Sequence, residues 1–311
     1  MRRREFLANG AMFGTMRALP AWTAELQRFE LGVITDEVSQ GFENALQWAR
    51  SFGLSWVELR FLWNKYVIDL TEDDVKHAKD LLAKHQMKVS VVDSPFFKTL
   101  LPGTQSKFDT GKSDPLQSDF GAQQGILEKA IKRAKEFGTD KIRIFAFLRA
   151  AQPLTVFDRV ARELEETAAI AQRENIRLLL ENEFSCNVAT GAESAAMLSA
   201  VKSPTLGLNW DPGNAYAAGE TPFPNGYEPL DKKRIWHMHL KDAAPNPNGG
   251  EAIWKPIGSG KIDYLGQFRA LINDGYHGTL SLETHYLNTA KNKAESSRES
   301  MEGLLRVIQE A

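Results

Sequence analysis

The chain contains four strand-like runs that each end on a metal-binding residue type: RLLLE at 177–181, LGLNWD at 206–211, IWHMH at 235–239 and LSLE at 280–283. In a barrel of parallel strands, the carboxyl ends of the strands meet on one face, and active sites form there. Glu, Asp, His and Glu delivered to that face make an oxygen-rich set with one nitrogen, which suits Mn²⁺, Mg²⁺, Co²⁺ or Zn²⁺. The pattern predicts a metal-dependent enzyme.

The composition is that of an ordinary globular protein. Of 311 residues, 42% are hydrophobic and 25% charged, and the formal net charge is only -2. This balance provides no strong field for nucleic acid or an anionic membrane, so neither is expected as a partner. A single cysteine, Cys186, excludes an internal disulfide framework and a cysteine-rich metal cluster. We find no apolar segment near the ~20 residues that span a bilayer.

The N-terminus carries the sequence RREFL at residues 3–7, followed by a short apolar stretch at 8–16. This arrangement is typical of a twin-arginine export signal, which a receptor reads and which does not belong to the fold. We therefore predict a signal peptide over residues 1–24, a barrel over 29–311 and a periplasmic or exported protein. The alternative is a basic N-terminal tail on a cytoplasmic protein.

From residue 31 onward, strand patterns alternate with helix patterns. Strands are predicted at 31–35, 56–59, 88–92, 141–147, 176–180, 205–210, 235–240 and 279–282. Helices are predicted at 42–52, 71–85, 123–137, 156–174, 192–200, near 215, at 264–274 and at 293–308. Eight of each predict a single (β/α)8 TIM barrel, an α/β fold. A doubly wound sheet is the alternative, but no Gly-rich phosphate loop follows the first strand. The polar insert at 101–119 is expected to be an active-site lid or a disordered loop.

Charged residues also end the predicted strands of the first half. Glu58 lies near the end of the second strand, where it is expected either to contact substrate or to pair with Arg60. Arg143 and Arg149 flank the fourth strand and are expected at the surface, with binding of an anionic substrate group as the alternative. Three further carboxylates are expected to cap helices or form salt bridges in loops, with a position facing the barrel mouth as the alternative: Asp36, Glu37 and Asp93.

Five short motifs stand in order along the second half. They are LLLEN at 178–182, DPGN at 211–214, HMHLKD at 237–242, GSGKID at 258–263 and LSLE at 280–283. Together they resemble the xylose isomerase-like barrel superfamily, in its sugar phosphate isomerase/epimerase branch. The resemblance covers nearly everything from Leu31 to the C-terminus.

The resemblance implies a site for one divalent metal ion. Glu181, Asp211, His239 and Glu283 would bind it, with Mn²⁺ expected first and Mg²⁺, Co²⁺ or Zn²⁺ as alternatives. Glu181 and Glu283 would also be catalytic, since in epimerase relatives the two metal-bound glutamates lie on opposite sides of the sugar. One removes a proton and the other returns one.

Four more residues are predicted to contact substrate: Glu58, Asn214, His237 and Lys241. His237 lies two residues before His239, so the two side chains point the same way on a strand. The alternative for His237 is a core histidine with its hydrogen bonds satisfied. For Lys241 the alternative is a salt bridge with Asp242.

The resemblance implies an isomerase or epimerase of a sugar or keto-sugar that works through a metal-stabilised enediolate. The partner is a small-molecule carbohydrate, and a homo-oligomer is expected because relatives often form dimers or tetramers. The first alternative is a lyase or dehydratase acting by β-elimination on a 3-keto-glycoside or related hydroxy-ketone. A non-catalytic sugar-binding barrel and an apurinic endonuclease are the others. Asn214, where a second-metal histidine would stand, and the near-neutral charge argue against the endonuclease.

Overall fold

Eight parallel strands form the centre of the computed structural model, which describes residues 28–110 and 117–311. In chain order they are β1 (Glu30–Val33), β2 (Trp56–Leu59), β3 (Lys88–Asp93), β4 (Lys141–Ile144), β5 (Arg177–Glu181), β6 (Leu206–Trp210), β7 (Ile235–Leu240) and β8 (Thr279–Leu282). The strands pair in the order β1-β8-β7-β6-β5-β4-β3-β2. A parallel bridge between Ile34 and Glu58 joins the two ends. The barrel is thus nearly closed, which confirms the predicted (β/α)8 TIM barrel.

A helix follows each strand. These helices are α1 (Phe42–Ser51), α2 (Glu72–Lys84), α3 (Gln123–Phe137), α4 (Phe157–Glu174), α5 (Gly191–Ala200), α6 (Pro212–Ala217), α7 (Tyr264–Asn273) and α8 (Lys293–Glu310). Local chemistry sets several of their ends. Thr71 begins α2 through a capping box with Asp74, and Asp263 begins α7 by accepting from the Gly266 N–H. The apolar helix faces pack around the barrel in one core.

Strand β4 ends three residues earlier than predicted. Phe147 has a φ of 58°, in the left-handed region, which a strand does not continue through. The Phe145 N–H instead donates to the carbonyl of Phe96, in the loop after β3. The apolar run therefore leaves the sheet after Ile144, and its side chains stay buried.

A loop cradle follows β7. The Asp242 carboxylate accepts from the N–H groups of Gly258, Gly260 and Ile262, at 3.0, 2.9 and 3.3 Å. A Cβ at Gly260 would lie 2.0 Å from Asp242 Oδ1, so only glycine fits there. Backbone N–H groups of the GSGKID motif at 258–263 thus hold the loop to Asp242, just after β7.

The predicted signal peptide at 1–24 and part of the predicted insert, 111–116, lie outside the described residues. Residues 117–119 lead through a short 3-10 helix, Phe120–Ala122, into α3. Within 28–110 and 117–311, no helix is both long enough and apolar enough to cross a bilayer.

Candidate metal centre

The strand ends of β5 to β8 bring four potential ligands together at the carboxyl-end face. Glu181, Asp211, His239 and Glu283 each offer one atom, and these atoms all lie within 4.8 Å of one another. His239 Nδ1 lies 3.3 Å from Glu181 Oε1, 3.2 Å from Glu283 Oε2 and 3.9 Å from Asp211 Oδ2. All four side chains are buried. The sequence thus identified residues that the fold places in one cluster.

Glu181 ends β5 between two polar partners. Asn214 Nδ2, in the first turn of α6, donates to Glu181 Oε1 over 3.0 Å. Arg143 Nε lies 3.2 Å from Glu181 Oε2. Burial opposes the charge of this carboxylate, but His239 and Arg143 outweigh burial and lower the pKa of Glu181 to about 2. Glu181 is therefore ionised at neutral pH.

Asp211 is the N-cap of α6, where its Oδ1 accepts from the Asn214 N–H over 2.9 Å. Its Oδ2 is buried without a hydrogen bond and lies 2.7 Å from Lys241 Nζ. Burial raises the pKa of Asp211 to about 6, and Lys241 offsets part of this effect. Lys241 therefore pairs with two proposed ligands, Asp211 and Glu283, and the alternative of a salt bridge with Asp242 is wrong.

Glu283, directly after β8, is held by cations from both halves of the barrel. Arg60 Nη1 donates to Glu283 Oε1 over 2.7 Å, and Lys241 donates to Oε2. Burial disfavours the charge, yet Lys241 and His239 hold the pKa of Glu283 well below its usual range. Arg60 also pairs with Asp36 and Glu37. The expected pairing of Arg60 with Glu58 is thus wrong, while Asp36 and Glu37 do form loop salt bridges.

Glu58 lies beneath the cluster and contacts both histidines of β7. Its Oε2 is 2.8 Å from His237 Nε2, and its Oε1 is 2.9 Å from His239 Nε2. All three side chains are fully buried. Burial lowers the pKa of His237, whereas carboxylates led by Glu58 outweigh burial and raise that of His239. The Glu58 carboxylate therefore holds His239 at Nε2, and this leaves Nδ1 directed toward the other proposed ligands.

The expected surface position of Arg143 is wrong. Its side chain is 2% exposed and lies between Asp93, 3.3 Å away, and Glu181. The signal for this was strand alternation: Ile142 and Ile144 flank Arg143 in β4, so the arginine points to the opposite face, into the barrel. Arg149, in contrast, is partly exposed and pairs with Glu193.

The family follows from a match over most of the chain. The chain belongs to the xylose isomerase-like TIM barrel family, whose model matches residues 46–307. A ketose 3-epimerase of Arthrobacter globiformis is 24% identical over 255 residues, which cover 79% of this chain and 78% of the epimerase. The uncharacterized protein MJ1311 of Methanocaldococcus jannaschii is 28% identical over 155 residues, and the match spans half of its length and 47% of this chain.

Solved structures share the fold at low identity. The IolI protein, determined with a zinc atom, superposes with a TM-score of 0.69 at 16% identity, covering 90% of this chain and 98% of its own. The probable 3-DHS dehydratase AsbF of Bacillus anthracis gives a TM-score of 0.66 at 19% identity, covering 88% and 98%. A protein named as a probable dehydratase thus shares this fold, and a protein named as an epimerase is similar in sequence.

Proposed function

We propose that this chain is a metal-dependent epimerase or isomerase of a sugar or keto-sugar. The observation that carries the proposal is the cluster of Glu181, Asp211, His239 and Glu283, whose ligand atoms lie within 4.8 Å of one another. The similarity to a ketose 3-epimerase supports the same class of substrate.

The donor set fits a divalent cation. Three carboxylates and one imidazole would hold the ion, with Mn²⁺ expected first and Mg²⁺, Co²⁺ or Zn²⁺ as alternatives. The buried Asp211 Oδ2 lies 2.7 Å from the Lys241 ammonium, so this oxygen already faces a cation. When bound, a divalent ion polarises a carbonyl and makes the neighbouring C–H more acidic.

Two glutamates carry the proton transfers in this proposal. Glu181 ends β5 and Glu283 directly follows β8, and their oxygens lie 3.3 and 3.2 Å from His239 Nδ1. Their lowered pKa values keep both ionised in the free protein, so either can act as a base toward a C–H beside the carbonyl. The glutamate that removes the proton becomes protonated, and the other glutamate, which first takes up a proton from solvent, donates that proton to the opposite face of the sugar.

Polar residues around the two glutamates would hold the substrate oxygens. Asn214 and Lys241 already contact the carboxylates of the cluster, so both lie where a sugar hydroxyl would bind. Glu58 instead contacts both His237 and His239. We propose that Glu58 and His237 act on the site through His239 and do not touch the substrate. Asn214 and Lys241 would make the substrate contacts instead.

Hydrogen exchange in D₂O tests the reaction. The Mn²⁺-loaded protein, incubated with a panel of ketoses and 3-keto-glycosides, should introduce deuterium beside a carbonyl, as seen by NMR. Glu181→Gln and Glu283→Gln should each slow exchange by about 100-fold or more, because each removes a proton-transfer group. Glu43→Gln, the same change at a surface carboxylate paired with Lys84, is the control. Full exchange in either active-site variant would refute the proposal.

β-Elimination is the second candidate reaction, because it begins with the same proton removal and a probable dehydratase shares the fold. The exchange experiment separates the two by its products. An epimerase returns a sugar of unchanged mass apart from deuterium, whereas a lyase releases the group from the β-carbon.

A further inference from the structure

A cavity of about 780 Å³ opens among the loops that follow the barrel strands, and this volume lies within the ~300–1,000 Å³ usual for small-molecule sites. The loops that follow β3, β4 and β5 form three of its walls, and the end of α6 forms the fourth. All four walls belong to the carboxyl-end face. The cavity therefore lies on the side of the barrel where the proposed reaction takes place.

Two of the walls are formed by residues that closely follow proposed metal ligands in the chain. Phe184 lines the cavity three residues after Glu181, and Ala217 lines it at the end of the helix that Asp211 begins. Asn214, which donates to Glu181, is three residues before Ala217, or about one helical turn away. A molecule that extends from the centre along this loop and helix would enter the cavity.

The lining of the cavity combines aromatic rings with small apolar side chains. Phe108 and Phe184 meet edge to face, with ring centroids 6.0 Å apart and an interplanar angle of 78°. Small side chains, among them Ala150, Ala151 and Ala217, leave the space opposite these rings open. Aromatic side chains pair well with other rings, whose C–H groups meet the ring faces. The surface therefore suits a ring better than a chain of polar groups.

One of the two cations that line the cavity, the partly exposed Arg149, is already neutralised. Arg149 donates to both oxygens of Glu193, over 3.1 and 2.7 Å, and to the carbonyl of Cys186. Lys107 lies exposed at the rim, with its ammonium 4.8 Å from the Phe108 ring centroid. Among the residues the structure describes, these are the cations of the lining. The charges thus favour an uncharged ligand over a phosphate.

Hydrogen bonds between the loops fix the shape of the cavity. Ser106 Oγ donates to the Arg149 carbonyl over 2.7 Å and accepts from the Phe108 N–H over 3.2 Å. The Ala150 N–H donates to Asn187 Oδ1 over 2.9 Å. Because the loops after β3, β4 and β5 are joined in this way, the cavity is formed before a ligand binds, which lowers the entropic cost of binding.

We propose that this cavity binds a second, uncharged ring that is linked to the sugar at the metal centre. The substrate would then be an unphosphorylated glycoside. The position of the first ring rests on the proposed function. The second ring is either an aromatic aglycone or another sugar, since both present an apolar face to Phe108 and Phe184.

Calorimetric titration of the Mn²⁺-loaded full chain tests the subsite with four probes: D-glucose, D-glucose 6-phosphate, phenyl β-D-glucopyranoside and cellobiose. We expect at least one two-ring probe to bind about ten-fold more tightly than glucose, and glucose 6-phosphate to gain nothing. A gain for the phenyl glycoside alone identifies an aromatic aglycone, and a gain for cellobiose alone identifies a second sugar.

Two variants locate the gain. Ala151→Trp fills the cavity from its exposed rim, and Phe184→Ala removes one of its rings; both should abolish the gain and leave glucose binding unchanged. Ala83→Trp, at an exposed position of α2, is the matched control. Equal binding of one-ring and two-ring probes, a gain that survives both variants, tightest binding of glucose 6-phosphate, or no binding by any probe would each overturn the proposal.

Binding and reaction can fail independently. A two-ring gain that depends on Phe184, found together with no deuterium exchange, would refute the proposed reaction and keep the subsite. Exchange on free ketoses without any two-ring gain would keep the reaction and refute the subsite.

Discussion

His239 Nε2 lies 2.9 Å from Glu58 Oε1, while Nδ1 of the same ring faces Glu181 and Glu283. The two ring nitrogens thus have separate partners. A carboxylate that accepts from one nitrogen of a metal-binding histidine fixes the ring and directs the other nitrogen to the ion. Glu58, although it offers no atom to the four-residue cluster, sets the direction of its one nitrogen ligand.

We therefore expect Glu58→Gln to weaken Mn²⁺ binding by about 10–100-fold, because an amide accepts more weakly and releases the ring. Calorimetric titration with Mn²⁺ measures this directly. Glu43→Gln, at the surface, should bind as the unmodified chain does. Unchanged affinity in Glu58→Gln would show that the ring is held by packing alone.

Replacing Lys241 by Met should have two opposite effects. The ammonium lies against Asp211 and Glu283, two of the proposed ligands, so it competes with a metal ion for their charge. Without it, the metal-free protein should melt at a lower temperature because the buried carboxylates lose a counter-charge, and Mn²⁺ should bind more tightly.

Thermal melts with and without Mn²⁺ measure both effects of that change. Lys98→Met is the matched control, since the Lys98 ammonium lies 3.8 Å from Glu183 and contacts no ligand of the cluster. A Lys241 variant that binds Mn²⁺ more weakly would indicate that the lysine supports the centre instead of competing with the ion.

Metal binding should release protons and weaken as the pH falls. The carboxylates around His239 outweigh its burial and raise its pKa well above 6.5 in the metal-free protein. Near pH 7 the ring must therefore lose about one proton to become a ligand. The pKa of Asp211 is about 6, so below that pH a second proton must leave. Titrations in buffers of different ionisation enthalpy count these protons. Equal affinity at pH 5.5 and 7.5 would contradict the prediction.

Removing Arg143 should destabilise the barrel. Its guanidinium lies between Asp93 and Glu181 with 2% of its surface exposed, so Arg143→Met leaves two buried carboxylates without this partner. Loss of one member of a buried ion pair costs about 3–5 kcal/mol. Urea unfolding measures the change, and Arg149→Met, which breaks a partly exposed pair, should cost less than about 1 kcal/mol. Equal losses in the two variants would contradict the assignment.

Gly213 lies where the first turn of α6 passes Lys241. A Cβ at this position would be 2.3 Å from Lys241 Cγ and 2.8 Å from the Lys241 carbonyl oxygen. Gly213→Ala should therefore displace the lysine, lower stability by about 1–3 kcal/mol and alter Mn²⁺ affinity. Gly125→Ala, in α3 with no neighbour within 4 Å, should instead stabilise the protein by up to about 1 kcal/mol. A stable Gly213→Ala protein with normal affinity would refute the close contact.

The sequence predicts best what depends on position along the chain. Glu181 and Glu283 were identifiable because a parallel barrel brings its strand ends to one face, whatever the details of packing. Thr71 was identifiable as a helix start because its partner is three residues away. The partners of Arg60 and Arg143 could not be identified from the sequence, because they depend on which side chains meet across the barrel. Their distances from Glu283 and Glu181 depend on the closed fold.

The metal centre also joins residues from the two halves of the chain. The four proposed ligands come from β5 to β8 and the residues directly after them, whereas Arg60 and Arg143, which hold Glu283 and Glu181, follow β2 and lie in β4. Ion pairs at the site therefore connect the two halves of the barrel. Separating the chain between β4 and β5 would remove Arg60 from Glu283 and Arg143 from Glu181, and joining the halves would restore both pairs. Assembly of the centre and closure of the barrel are thus one event.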